Sequence, residues 1–212
     1  MDSHLLRFKP KQRYVIFDFE TSNLNICIDN PLWEIGYLLV EGNNIIEKHH
    51  YRIWWDNFKI SKGAQQVTRF NYDDYKKTAK DPKVVLDDFE KYLYNEEYIS
   101  IAHNCHSFDI YVHNQWRKKL GLKTDYSYLE RCIDTNSVAK LIKLGVKEVK
   151  WENLMETMFR MSNFYQKGMK TNLTAMGKYY NIEFDYESLH SGINDTILLL
   201  EIWNRMKKEI EI

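Results

Sequence analysis

The sequence predicts an α/β fold built on a mixed sheet. Three observations carry that expectation. An apolar run lies near the N-terminus, a hairpin pattern follows it directly, and short strand-like runs then alternate with helix-periodic ones. The chain has 212 residues, of which 44% are hydrophobic. That composition suits a single domain over the whole chain. No linker rich in Pro, Gly or Ser divides it.

RYVIFDF, from Arg13, is apolar on both faces and reads as a central strand. WEIGYLLV (33–40), the turn signal EGNN (41–44) and IIEKHHYRIWW (45–55) extend it into three antiparallel strands. In KDPKVVLDDFEKYLY, Asp81 is placed to cap a helix with Pro82 at its first position. Val85, Phe89 and Leu93 share one face of that helix. YISIAH (98–103) reads as a strand, and FDIYVHNQWRKKLG as a helix closed by Gly121. YLERCIDT (128–135) is a strand and SVAKLIKL (137–144) a helix. Further helices are expected over about 151–161 and 172–180, and a last one from Asn194 to Lys208. The basic and aromatic stretch 145–171 reads as an inserted helical element, an extra packing helix in preference to a lid, clamp or partner surface.

Thirty basic and thirty acidic side chains balance, so the chain lacks the charge of a protein that coats long nucleic acid. Any nucleic-acid contact is expected to be short. No apolar run spans a bilayer, and MDSHLLRFKPKQ lacks the apolar core of a secretion signal. Cys27, Cys105 and Cys132 are odd in number and form no C-x-x-C pair, which suggests a reducing cytoplasm. Trp54, Trp55 and Trp151 are candidates for stacking on bases, and Arg117 to Lys119 and Lys167 to Lys170 for guiding phosphates. Solvated surface is the preferred reading of both basic clusters.

Asp-x-Glu occurs three times, and placement separates the copies. Asp18 and Glu20 sit on a strand, where residues two apart point the same way, in line with Tyr14 and Ile16. Asp88 and Glu90 sit on a helix and diverge, so they are expected on a solvated face and cannot share an ion. Asp185 and Glu187 fall in a loop, where capping explains them. Asp195 heads the inward stripe Leu199, Ile202, Trp203 and Met206, and Asp109 heads the stripe Val112, Trp116 and Leu120. A carboxylate on an inward stripe needs a partner. One acidic site at the carboxyl ends of the strands accounts for all four acids. Such a donor set suits Mg²⁺ or Mn²⁺, and a pair of such ions suits phosphodiester hydrolysis. His190, in LHSGIND, is the candidate general base. The other six histidines read as structural or surface. Zinc held by His103, His106, Cys105 and Cys132 is disfavoured, because the spacing matches no common finger.

Together these residues resemble the DnaQ-like 3′–5′ exonucleases of the DEDDh type. That group includes the proofreading subunit of bacterial DNA polymerase, ribonuclease T and oligoribonuclease. FDFET, with Asp18, Glu20 and Thr21, matches the first family motif. AHNCHSFD, ending in Asp109, matches the second, with three residues between Asn104 and Phe108 where many members have two. HSGIND, with His190 and Asp195, matches the third. GAQQVTRFNYDDY is similar to the family's Gly-Ile-Thr loop in degenerate form.

The resemblance implies a ribonuclease H-like fold, a five-stranded mixed sheet flanked by helices. It implies that Asp18 bridges two divalent ions, that Glu20 and Asp195 hold the one that activates water, and that Asp109 completes the site. His190 would deprotonate the nucleophile. Thr21 and Asn104 are the candidate substrate-side residues, Thr21 against the terminal nucleotide and Asn104 shaping the loop or capping the helix at Phe108. The expected activity is release of nucleoside 5′-monophosphates from a 3′ end, with single-stranded DNA slightly favoured. The rival readings are an RNA-trimming enzyme and a non-catalytic binder of a nucleic-acid end or a polymerase. A polymerase or other replication protein is the expected protein partner.

Overall fold

The computed structural model describes residues 5–26 and 29–212. Cys27 and His4 lie outside the described residues. The chain opens with a 3₁₀ turn at Leu6–Phe8 and enters the central strand β1 (Arg13–Thr21). β2 (Leu32–Glu41) and β3 (Asn44–Arg52) follow as antiparallel neighbours. β4 (Tyr98–Ala102) and β5 (Cys132–Asp134) add in parallel on the other side, giving the order β3-β2-β1-β4-β5. This is the mixed sheet of the ribonuclease H-like fold, as the sequence leads one to expect.

β1 is apolar on both faces because both faces are covered. Tyr14 and Ile16 join one buried cluster, and Val15, Phe17 and Phe19 join the other. Helix α3 (Pro82–Leu93) starts at Asp81, whose carboxylate accepts from Lys83 N and Val84 N. It buries Val85 and Phe89 beside Val112 and Trp116 of α4 (Asp109–Lys119). The opposite face is covered by α5 (Thr135–Lys143), α6 (Leu154–Ser162), α7 (Leu173–Tyr179) and the last helix, α8 (Gly192–Met206). Within 145–171, α6 buries Leu154 and Met158, and its Met158 and Met161 carbonyls accept from Ser137 Oγ and Lys140 Nζ. It is a packing helix of the core. No described helix is long and apolar enough to cross a membrane.

Three expectations need correction. Strand β5 is three residues long, because Ser127–Arg131 forms a 3₁₀ turn that buries Tyr128 and Leu129 instead of extending the strand. Two seven-residue helices, α1 (Lys62–Thr68) and α2 (Tyr72–Thr78), occupy a stretch read only as a degenerate loop. Ser61 and Asn71 cap them, and they close over a satellite core of Trp33, Phe58, Phe70 and Tyr75. Asp88 and Glu90 do diverge, but not into solvent. Asp88 accepts from Tyr37 and Tyr51, and Glu90 pairs with His113 and Arg117. Arg117 is therefore a structural ion-pair residue and not a solvated one.

Gly36 lies mid-strand in β2, opposite Asp18 of β1. A Cβ there would sit 2.2 Å from the carbonyl carbon of Gly192. The first residue of α8 thus rests directly on the sheet backbone, which only glycine permits. Gly36→Ala is expected to cost about 3 kcal/mol, because backbone and not a flexible side chain must give way. A thermal melt showing an unchanged Tm would contradict this packing.

Candidate active site

The close approach of α8 to β1 and β2 sets where its first turn lands. Asp195, three residues after Gly192, faces Asp18 and Glu20, and carboxylate oxygens of the three lie within 4.8 Å of one another. Asp18 and Glu20 are on the Tyr14 and Ile16 side of β1, the side that α8 covers. Both sit where β1 runs out of its parallel pairing with β4, so the cluster is at the carboxyl end of the sheet.

Asp195 is buried and accepts from the backbone N–H groups of His190 (2.8 Å) and Ser191 (3.0 Å) through Oδ2. These donors draw the turn 190–191 back over the helix start. His190 adopts a left-handed φ of 67° and its ring is exposed. The His190 backbone N–H binds Asp195, which keeps this residue next to the acids.

Asp109 is buried at the head of α4, outside the tight group of three, yet its charge acts on both Asp18 and Glu20. It is delivered by the turn after β4. Asn104 there has a left-handed φ of 63°, a conformation that asparagine tolerates better than most residues. Its Oδ1 accepts from Asn136 Nδ2, and its side chain caps no helix. Of the two alternatives for Asn104, the structure favours loop shaping over capping. Thr21 is buried, with its hydroxyl donating to the Asn23 carbonyl at 2.6 Å.

Two acids escaped the sequence reading. Asp134 is fully buried at the end of β5 and caps α5 through Asn136 N and Ser137 N. It also accepts from Asn104 N (2.8 Å) and His106 N (3.2 Å), so it ties down the turn that carries Asp109. Its signal was present in Asp-Thr-Asn-Ser, an N-cap pattern closing a strand. Glu34 is the other, an acid inside an apolar strand. It accepts from Gly192 N at 3.1 Å and pairs with His50 and Arg52.

The electrostatics are one-sided. Burial first, then the charges of neighbouring acids, raise Asp18 and Glu20 well above the ordinary carboxylate range. Burial and Asp134 push Asp109 up to about 8. Burial raises Asp195 to about 6 against the pull of its backbone donors and His190. Glu20 stands opposite Glu34 across the antiparallel ladder, a like-charge pair that is unfavourable unless something compensates. Glu34 pairs with His50 and Arg52, whereas burial and the neighbouring acids raise Asp18 and Glu20. A half-buried set of converging hard oxygen donors fits a divalent metal ion.

The sequence profile of the family described as RNase_T, exonuclease, matches residues 15–203. The chain belongs to this DnaQ-like exonuclease family. It is thus a nuclease-family protein, and its acidic cluster suits the divalent metals on which such nucleases depend. No curated protein matches the sequence. Among solved structures, a zinc-bound complex of Escherichia coli exonuclease I with single-stranded DNA superposes with a TM-score of 0.73 at 12% identity, over 93% of this chain and 41% of that one. The same E. coli enzyme with a dT13 oligonucleotide gives 0.72 at 12% identity, over 94% and 42%. The exonuclease-family chain described here therefore spans about four tenths of those proteins' length, and the likeness is one of fold.

Each raised carboxyl is a weaker acid folded than at its unfolded value of about 3.9. Its contribution to stability is complete below about pH 4 and is lost as pH rises through about 6 for Asp195 and about 8 for Asp109. With a chelator present, Tm should fall as pH rises from 5 to 8, and added Mg²⁺ or Mn²⁺ should restore it most at the alkaline end. A Tm at pH 8 that ignores both ions would argue against this cluster as a cation site.

Proposed function

We propose that the protein is a metal-dependent 3′–5′ exonuclease that releases nucleoside 5′-monophosphates from a nucleic-acid end, with single-stranded DNA favoured over RNA. The observation that carries this is the group Asp18, Glu20 and Asp195, whose carboxylate oxygens gather within 4.8 Å of one another. The DNA preference draws support from the fold relatives, E. coli exonuclease I bound to dT13 and to dA16.

In this reading Asp18, Glu20 and Asp195 hold two divalent ions, Mg²⁺ or Mn²⁺, with Asp109 completing the set. When bound, such ions lower the pKa of an attacking water and stabilise the leaving oxygen of a phosphodiester. The chain's own residues supply the rest. His190, exposed at the mouth of the cluster, accepts the water's proton on an imidazole nitrogen. The left-handed turn fixes where that ring starts. Asp134 and Asn104 hold the turn that carries Asp109, and Asn104 stays the candidate for the substrate side of that turn. Thr21 lies at the end of β1, next to Glu20, where its backbone can meet the terminal nucleotide.

A polar hollow lined by Glu34, His50, Arg52, Arg69 and His190 opens beside the cluster. Glu34 pairs with Arg52, so Arg69 is the guanidinium in this hollow free of a carboxylate partner among the described residues, and it suits a phosphate on that side.

Matched 5′-labelled DNA and RNA oligonucleotides, incubated with Mg²⁺, Mn²⁺ or EDTA, test the reading. A ladder that shortens from the 3′ end, only with metal and faster on DNA, is the expected result. Asp18→Ala should abolish it, and His190→Ala should slow it by about 10²-fold or more. Full activity in the Asp18 variant would refute the assignment. A faster ladder on RNA would overturn the sugar preference alone.

A further inference from the structure

A second set of potential metal donors lies in the core beneath the Asp109 turn. Cys105 and His106 belong to the 3₁₀ turn Cys105–Ser107 that leaves β4, and Cys132 opens β5. All three are buried, Cys105 and Cys132 completely. Their Sγ atoms are 3.7 Å apart, and Cys105 Sγ lies 3.4 Å from His106 Nδ1. One donor atom from each of the three falls within 4.8 Å of the others. His103, close in sequence, is not part of this group and turns its Nδ1 to Thr135 Oγ1.

Two of these separations match edges of a coordination tetrahedron. Zinc bonds of about 2.3 Å to sulfur and 2.05 Å to nitrogen, at tetrahedral angles, give a sulfur–sulfur edge of about 3.8 Å and a sulfur–nitrogen edge of about 3.6 Å. The observed edges of 3.7 and 3.4 Å are within about 0.2 Å of both. The His106 ring has no hydrogen bond at Nε2 and meets Phe159 edge to face, so no bond on that side sets its orientation. What the ring addresses is the thiol. Asp134 Oδ2 lies 3.8 Å from His106 Nδ1 and offers a fourth corner. The charge of Asp134 is already met by the backbone N–H groups of Asn104, His106 and Asn136.

We propose that Cys105, His106 and Cys132, with Asp134 at the fourth corner, form a structural zinc site that ties the turn carrying Asp109 to β5. Soft thiolates and an imidazole select a thiophilic d¹⁰ ion over Mg²⁺ or Mn²⁺, so the site is chemically separate from the carboxylate cluster. Binding converts two thiols to thiolates and releases two protons to solvent, while the imidazole coordinates in its neutral form. Without the ion, burial pushes the Cys105 thiol up and His106 down to about 4, so the empty site carries uncharged groups. A disulfide is the competing outcome, but 3.7 Å is far beyond an S–S bond of about 2.05 Å.

The test uses the full chain with Asp18→Asn and Asp195→Asn in place, so that the carboxylate cluster no longer contributes. Protein grown with zinc and dialysed against zinc-free buffer should keep about one zinc per chain by mass spectrometry. Refolded with Co²⁺, it should show intense tetrahedral bands and a sulfur-to-cobalt charge-transfer band. Cys132→Ser should remove the charge-transfer intensity in part or whole, and His106→Gln should shift the visible bands, with circular dichroism reporting the fold of each. The background chain decides the matter even where those variants fail to fold. No retained zinc and no charge-transfer band would overturn the proposal. Thiol titration in denaturant then identifies the alternative. All three cysteines free would mean packed thiols only, and one free would mean a disulfide.

Discussion

The contact on which the site depends is backbone against backbone. Gly192, the first residue of α8, sits so close to Gly36 of β2 that neither position can carry a side chain, and a Cβ on Gly192 would also lie 3.2 Å from the Asp18 carbonyl. Glycine inside a strand weakens it, and close approach of another backbone is a recognised reason for keeping one there. The consequence is geometric. A helix at ordinary packing distance stands 8–10 Å from its neighbour, roughly, and would hold its first turn away from β1. With both side chains absent, Asp195 reaches Asp18 and Glu20. Glu34, two residues before Gly36 on the same strand face, secures the seat by accepting the Gly192 N–H.

That seat brings together groups that repel one another. Asp18, Glu20, Asp109 and Asp195 all have their charged forms disfavoured by burial, and Glu20 faces Glu34 across the ladder. The two layers of core on either side of β1 hold the arrangement in place. The acids differ in how they are supported. Glu34 and Asp134 accept from backbone N–H groups, Glu34 also pairs with His50 and Arg52, and both position backbone. Among the described residues, Asp18 and Glu20 show no such bonds, and their oxygens gather with those of Asp195.

Much of this was legible. The strand parity of Asp18 and Glu20, and the inward stripes headed by Asp109 and Asp195, follow from side-chain periodicity alone. The misses share a cause. Asp88 and Glu90 looked solvated because a helix pattern shows which face is apolar, not what polar partners another element brings; Tyr37, Tyr51, His113 and Arg117 come from β2, β3 and α4. Helices α1 and α2 are about two turns each, too short for a periodic signal, and exist through their caps and the small core beneath them. Glu34 hid because its partners, Gly192 N, His50 and Arg52, come from other elements, and Asp134 because its capping pattern does not show the backbone N–H groups it takes from the turn at 104–106.

The sequence by itself determined the five strands, the longer helices, the inward faces of Asp18, Glu20, Asp109 and Asp195, and the family to which the chain belongs. Those depend on period, caps and local motif spacing, which are properties of consecutive residues. Only the tertiary structure decided that Asp195 lies with Asp18 and Glu20 while Asp109 stands slightly apart. It also decided that Cys105, His106 and Cys132 meet, and that His103 does not join them. Those facts depend on how closely separate elements approach, and that distance is set by missing side chains and buried backbone donors far apart along the chain.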